Sequence, residues 1–442
     1  MANDGTTEYN QRPGAGWLGR LDTPAATRLI LVLILLIGAY LRLSHLNWDL
    51  ETHLHPDERF LTMVEDKLKL PANLGQYFDS STSPLNPYNV KDGSGNMQFP
   101  LFVYGDLPMT MVAIGARIAN SLNQATHLWN ATGSEVPLDL TAYWGVHYVG
   151  RAMSGLVDLA GVLLIYLIGR RLYGRRAGLL AAGLLAFAVL PLQQSHFFTS
   201  DTFATFFSLV TFYFAVRVAF GGQGAGESLT QRPADRRGTG EGGWLSYIGL
   251  GVGLGATVAC RINLAPEAGI ALLAVGIRLW DEWRFGAAGQ RQGDDGERAW
   301  LILFVQAALF RLILFVLATA IAFRVLMPYA FGGGSILNLS FAPHWLDNMR
   351  EIQQMISLNL DYPPGHQWTG RTPFVFPFVN MVVWGLGLPL GLAGWAGWLV
   401  GFWQIVRGLT RWIYLPAARR HLLPVAWVGG MFLWQGLQAV QS

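Results

Sequence analysis

Long apolar runs separated by short polar ones organise this chain. Runs of spanning length fall near 28–46, 148–169, 177–194, 202–220, 244–262, 265–280, 308–327, 376–403 and 422–439. A helix needs about 20 mostly apolar residues to cross the hydrocarbon core of a bilayer, so the pattern predicts about nine spans. The polar stretches between them are ordered too. Arg12 and Arg20 precede the first run, and Arg170, Arg171, Arg175 and Arg176 fill the turn after the second. Arg232, Arg236 and Arg237 follow the fourth, Arg284, Arg291 and Arg298 the sixth, and Arg407, Arg411, Arg419 and Arg420 the eighth. Every second loop is arginine-rich, which is the positive-inside pattern with a cytoplasmic N-terminus. The first run is too long for a cleavable signal core and is read as a retained span.

This alternation places the segments 47–147 and 328–375 outside the cytoplasm. Within the first, Phe99 to Ile118 is apolar and aromatic but interrupted by Asp106 and Pro108, which predicts amphipathic helices at the interface rather than a span. Residues 1–27 are a polar tail, 28–442 a transmembrane domain, and 221–243 a Gly-rich, charged cytoplasmic loop with no capacity for a core. Composition agrees. Only 13% of residues are charged and 52% are hydrophobic, against roughly 25% charged in a soluble domain. The fold class is therefore an all-α polytopic membrane protein with a large first extracytoplasmic loop. The single cysteine, Cys260, excludes an intrachain disulfide and a Cys-based metal site. No nucleic-acid partner is expected.

The richest chemistry follows the first span, where Asp49, Glu51, His53, His55, Asp57, Glu58 and Arg59 crowd together. A membrane helix needs one polar anchor at its end; two adjacent carboxylates behind His55-Pro56 exceed that need. Asp57 and Glu58 are thus catalytic candidates, with an ordinary solvated loop start as the plainer alternative. His53-x-His55-x-Asp57 offers three potential ligands but matches no closed zinc spacing. No metal or other cofactor is expected, a divalent cation being the alternative. Asp201 opens an apolar helix after Gln193 to Ser200, and helix capping explains an acid there but not the whole cluster with His196. Arg261 stands between the fifth and sixth spans; it either snorkels to headgroups or holds a phosphate, which its planar fork suits. Arg324 is read as snorkelling. Tyr104, His366, Trp368 and Arg371 are binding candidates, the last three suiting a sugar or headgroup or else an interfacial belt.

Taken together, four features resemble the GT-C superfamily of membrane glycosyltransferases, specifically protein-O-mannosyltransferase-like members that depend on phospholipid carriers. They are His55-Pro56-Asp57-Glu58 after the first span, Ser200-Asp201 at the fourth, Arg261 with Pro266 at the fifth-to-sixth turn, and the stretches RRLYGRRAGLLAA and FFTSDTFATFF. The resemblance runs from about Arg28 to the end. It implies a GT-C-like helix bundle in the plasma membrane of a prokaryote, with the active site extracytoplasmic. It also implies a polyprenyl-phosphate-linked sugar donor (mannose-like or another hexose or pentose), surrounding membrane lipids, and a protein, lipid or glycan acceptor. Transfer would invert the anomeric centre. Asp57 would then be the base, Glu58 and His55 would position it, Asp201 would orient the acceptor or a sugar hydroxyl, and Arg261 would hold the leaving phosphate. Relatives acting on lipid A carry Lys-Pro-Pro where this chain has Gln98-Phe99-Pro100, which implies a different acceptor. Members of this family usually continue through further spans, so the chain is expected to be C-terminally incomplete. The alternatives are a transporter or lipid flippase, whose polar groups would sit at mid-membrane on broken helices, and a catalytically inactive truncated relative.

Overall fold

Thr23 starts the first helix: its side chain accepts the Ala26 N–H at 3.2 Å, and Pro24 occupies the first turn, where its missing N–H costs nothing. The computed structural model describes residues 23–131, 133–221, 242–286, 294–357, 359, 363–410 and 416–438. Most of the N-terminal tail, nearly all of the 221–243 loop, Arg411 and the last four residues lie outside it. The elements in order are α1 (Pro24–Leu43), α2 (Pro56–Glu65), α3 (Leu74–Phe78), α4 (Asp106–Thr126), α5 (Tyr143–Tyr173), α6 (Arg175–Ala186), α7 (Val189–Gln194) and α8 (Ser200–Phe220). They continue with α9 (Trp244–Cys260), α10 (Ala268–Gly286), α11 (Asp294–Leu326), α12 (Pro343–Ile356), α13 (Val375–Val379), α14 (Leu388–Thr410), α15 (Pro416–Arg419) and α16 (Leu422–Gly436). The architecture is all-helical, as the apolar pattern predicts; among the described residues the only strand-like pairings are isolated bridges.

Among the described residues, five helical segments are long and apolar enough to cross a membrane: Pro24–Leu43, Tyr143–Tyr173, Ser200–Phe220, Ile262–Arg284 and Gly296–Leu326. Three shorter apolar helices are Trp244–Cys260, Val375–Gly385 and Leu422–Gly436. Two of the expected continuous spans are interrupted. The 177–194 run splits into α6 and α7 at Phe187-Ala188. The 376–403 run splits at Gly387, whose φ of +79° stops a helix, with Pro389 beginning the next.

The helices sort into inner and rim positions. Of the most apolar stretch of α8, 61% is buried inside the molecule, against 11% for α1 and α11, so α8 is central and the other two present their sides outward. Glycines set the closest packing. A Cβ added at Gly251 of α9 would stand 2.5 Å from the Phe315 carbonyl oxygen on α11; only a bare backbone lets these helices approach so far. Arg42 of α1 is fully buried and pairs with Asp158 of α5 at 2.6 Å, adding a hydrogen bond to the Ala186 carbonyl at 3.0 Å. Arg324 corrects the snorkelling expectation. It is 4% exposed, donates to the carbonyls of Ser335 (2.9 Å) and Ile336 (3.1 Å), and lies 4.8 Å over the Phe331 ring. Its desolvation is met by carbonyls of the following loop rather than by headgroups.

The long loops gather at one end of the bundle. Tyr77 donates to the Val325 carbonyl at 2.8 Å, the hydroxyls of Ser83 and Tyr329 meet at 2.8 Å, and Tyr88 pairs with the Asn348 amide at 2.8 Å. The Phe99–Ile118 stretch ends in α4, which buries Leu107, Met109, Val112 and Ala116 against residues of α5, α8 and α9 while Ile114, Ile118 and Leu122 stay exposed. That is an amphipathic helix.

Candidate active site

At this end the His55-Pro56-Asp57-Glu58 stretch becomes the start of α2. His55 is the N-cap and its Nδ1 accepts the Glu58 N–H at 3.4 Å, while Pro56 fixes the first turn. Successive residues on a helix point about 100° apart, so Asp57 and Glu58 separate. Glu58 turns inward and is fully buried; Asp57 stays half-exposed.

Glu58 is held by an arginine that the sequence reading passes over. Arg151, on the first turns of α5, is also fully buried. Its Nε and Nη2 donate to the two Glu58 oxygens, each at 2.7 Å, and Nη1 and Nη2 donate to Asp49 at 3.0 and 2.8 Å. A further bond to the Leu46 carbonyl at 2.5 Å brings every arm of the guanidinium into use. Glu58 Oε1 also accepts the Phe198 N–H at 3.0 Å, from the turn before α8. Burial works against the charged form of Asp49, and the Arg151 bonds outweigh it and hold its carboxyl below the usual range. Such a buried cluster is costly to desolvate, but removing one partner strands the others, typically at about 3–5 kcal/mol. Its effect is to fix α1, α2, α5 and the α8 entry relative to one another. Both Glu58 oxygens are thus engaged within this cluster. The signal for Arg151 was present: an arginine inside the apolar run 148–169, the same anomaly that marks Arg261.

Asp57 faces a second group. Arg261, just past the end of α9, donates through Nη2 to Asp201 at 2.7 Å and through Nε to the Ser200 hydroxyl at 3.1 Å. Its guanidinium lies 5.9 Å over the Tyr104 ring. The Tyr104 hydroxyl is pushed up in pKa first by burial, then by the adjacent Asp57 carboxylate, with Arg261 opposing and Asp201 adding to the rise. Asp57, Tyr104, Asp201 and Arg261 thus form one cluster, drawn from positions up to 204 residues apart (261 minus 57). Gly105 makes it possible. Its N–H donates to the Cys260 carbonyl at 3.1 Å, and a Cβ there would overlap the Ala259 carbonyl. The loop carrying Tyr104 therefore rests directly on the chain leading to Arg261.

The other candidates lie elsewhere or serve the scaffold. His196 has Nδ1 2.9 Å from the Leu192 carbonyl and Nε2 3.2 Å from that of Ser44, bridging the α7 turn to the end of α1. His366 is exposed on the 363–368 turn and Arg371 lies 4.4 Å over Phe376; the Trp368 side chain lies outside the described residues. Among the described residues no three His, Cys, Asp or Glu side chains come together in a way that could hold a metal. A cavity of about 300 Å³ lies nearby, lined by Thr205, Ser208, Leu264, Glu267, Trp427 and Met431 among others, with mostly apolar walls. Thr205 and Ser208 follow Asp201 at helical spacings of four and seven, so the cavity continues down the same face of α8.

Residues 146–225 match the family model for dolichyl-phosphate-mannose-protein mannosyltransferase. This stretch holds Arg151, the arginine-rich turn and Ser200-Asp201, and the resemblance to the GT-C membrane glycosyltransferases stands on it. No curated protein matches the chain significantly. Among solved structures, the archaeal oligosaccharyltransferase AglB from Archaeoglobus fulgidus, bound to an inhibitory peptide and a dolichol-phosphate, is similar at 16% identity and a TM-score of 0.48. That similarity covers 96% of this chain and 48% of the other. The S. cerevisiae protein O-mannosyltransferase Pmt1–Pmt2 complex, bound to its sugar donor, is similar at 16% identity and a TM-score of 0.40 over 72% of this chain and 36% of the other. The chain spans about half the length of the oligosaccharyltransferase it matches.

Proposed function

We propose that this protein is a membrane glycosyltransferase that moves a sugar from a polyprenyl-phosphate donor to an acceptor outside the cytoplasm. The observation that carries the reading is the meeting of Asp57, Tyr104, Asp201 and Arg261 near an apolar cavity. A lipid-linked sugar phosphate needs a cation for its phosphate, a dry slot for its tail, and a base near the anomeric carbon. Arg261 offers the cation, the cavity one α8 turn from Asp201 offers the slot, and Asp57 offers the base. Direct displacement inverts the anomeric centre and requires one base to take the acceptor proton; Asp57 is half-exposed and accessible to an acceptor. Arg261 holds Asp201, and an arriving phosphate would compete for the same N–H groups, leaving Asp201 to orient the acceptor or a sugar hydroxyl. The transporter reading places polar groups at mid-membrane; here the cluster sits at helix ends.

The test is transfer of radiolabelled sugar from defined polyprenyl-phosphate donors by membranes containing the protein. Asp57→Asn is expected to lower turnover by roughly 10²–10⁴-fold, the usual contribution of a positioned base, with insertion unchanged. Retention of more than about half of wild-type turnover would remove Asp57 from the chemistry.

A further inference from the structure

The strap joining α1 to α2, residues 44–55, is held in a conformation its own backbone disfavours. His45, Leu50, Glu51 and His53 have φ values of +57°, +52°, +66° and +49°, a region that residues with a Cβ adopt sparingly and that persists only where the surroundings impose it. Two fastenings impose it here. One is the grip of Arg151 on Asp49 and the Leu46 carbonyl described above. The other is His53, 2% exposed, packed against Tyr143 (ring centroids 4.6 Å), Trp144 (5.8 Å) and His147 (4.5 Å), the last fully buried.

This second fastening is unusual in its polarity. A buried neutral imidazole ordinarily donates through one nitrogen and accepts through the other. Neither ring nitrogen of His53 finds a partner among the described residues, and His147 has at most the Tyr143 carbonyl one turn earlier. The two rings meet as apolar surfaces. The charged and titratable groups facing them are Asp49 and Glu51 from the strap, Glu58 from α2, and Tyr143, Tyr148 and Arg151 from α5. Asp49 and Glu58 are already bonded to Arg151, so their charge is largely answered, and Glu51 accepts the Tyr148 hydroxyl at 3.0 Å.

We propose that His53 and His147 form an acid-released clasp: neutral, the rings let the strained strap seat on α5; protonated, one ring must leave and the 52–55 end of the strap lifts, while Arg151 keeps its hold on Asp49 and Glu58. The direction follows from charge. A proton on either ring adds a cation beside Arg151 in surroundings that exclude water. Burial, chiefly, with Arg151 adding to it, holds the His53 imidazole below its ordinary range, and Glu58 and Asp49 oppose without prevailing. Lifted into water, the same ring titrates near about 6.5. The seated state thus binds fewer protons; its population is complete above that value and falls as pH drops below it toward the lower, seated value. His53 and His147 are positioning residues that act through His55, the N-cap of α2. The proposal rests on the functional reading only in that α2 carries Asp57, and lifting is measurable without any donor.

The test is a distance measurement on the full chain in lipid nanodiscs, with spin labels on Leu54→Cys in the strap and Leu122→Cys on α4. Both positions are exposed, while Cys260 is buried and escapes labelling. At pH 8 one narrow distance is expected. At pH 5 a second, displaced population should grow from under about a tenth to more than about half, by the linkage just described. In a protein also carrying His53→Phe and His147→Phe the second population should be absent at both pH values. If that variant lacks the narrow pH 8 distance, the single uncharged variants His53→Asn and His147→Asn replace it, each expected to reduce the second population. Identical distributions in the wild type at both pH values would overturn the clasp, as would a pH 5 population that persists without the two histidines. Sugar transfer measured in parallel separates the readings: no transfer with intact lifting defeats the functional proposal alone.

Discussion

Arg261 shows how much one side chain is asked to do. It binds Asp201 and Ser200 and leans over Tyr104, so a lipid-headgroup role alone leaves its partners unexplained. A snorkelling residue needs only charge and reach, which lysine also supplies; a phosphate clamp uses paired planar donors, which lysine lacks. Charge-assisted bonds contribute roughly 1.5–3 kcal/mol each, and 1.4 kcal/mol is about tenfold. Arg261→Ala is therefore expected to raise donor KM or lower turnover by at least about tenfold, with Arg261→Lys intermediate. Steady-state kinetics with varied donor concentration decide it. Unchanged kinetics in a properly inserted alanine variant would return Arg261 to the headgroups.

At the scale of elements, the contact between the loop before α4 and the end of α9 brings Tyr104 to Arg261. It depends on a position without a side chain. Gly105→Val would put a Cβ onto the Ala259 carbonyl, and overpacking of this kind costs about 1–3 kcal/mol or more. The expected outcome is a lower Tm in detergent and a loss of transfer larger than the stability change explains, because Tyr104 moves off Arg261. Gly93→Val, where a Cβ meets nothing within 4 Å, is the matched control and should leave both unchanged. Equal effects from the two variants would mean that the contact does not order the site.

For the whole molecule, the arginine alternation predicts that the loops at the Asp57 end face away from the cytoplasm and the 221–243 loop faces into it. Single cysteines at Ser94 and at Ala234 test this with an impermeant thiol reagent in intact cells, Cys260 being buried. Ser94→Cys should label directly and Ala234→Cys only after permeabilisation. Labelling of Ala234→Cys in intact cells would invert the molecule and put the candidate site on the wrong side for an extracytoplasmic acceptor.

The helical class and most helix positions could be read from the chain because hydropathy and span length are local properties: roughly 20 apolar residues in a row have few other uses. Asp57, Asp201 and Arg261 were visible for a related reason, since charge at the edge of an apolar run is anomalous wherever the run folds. Which anomalies meet is not a local property. Asp57 and Glu58 look equivalent in sequence, and only the turn of α2 sends one to Arg151 and leaves the other beside Tyr104. Arg151 and Asp158 lie inside a run whose hydropathy reads as span and does not single them out, although together they tether α5 to the strap, α1 and α2. Likewise 376–403 is apolar throughout, but the left-handed Gly387 and the following Pro389 divide it. Pattern along the chain settles what each segment is; the pairing of buried charges and the glycine contacts, which depend on three-dimensional neighbours, settle what the segments build.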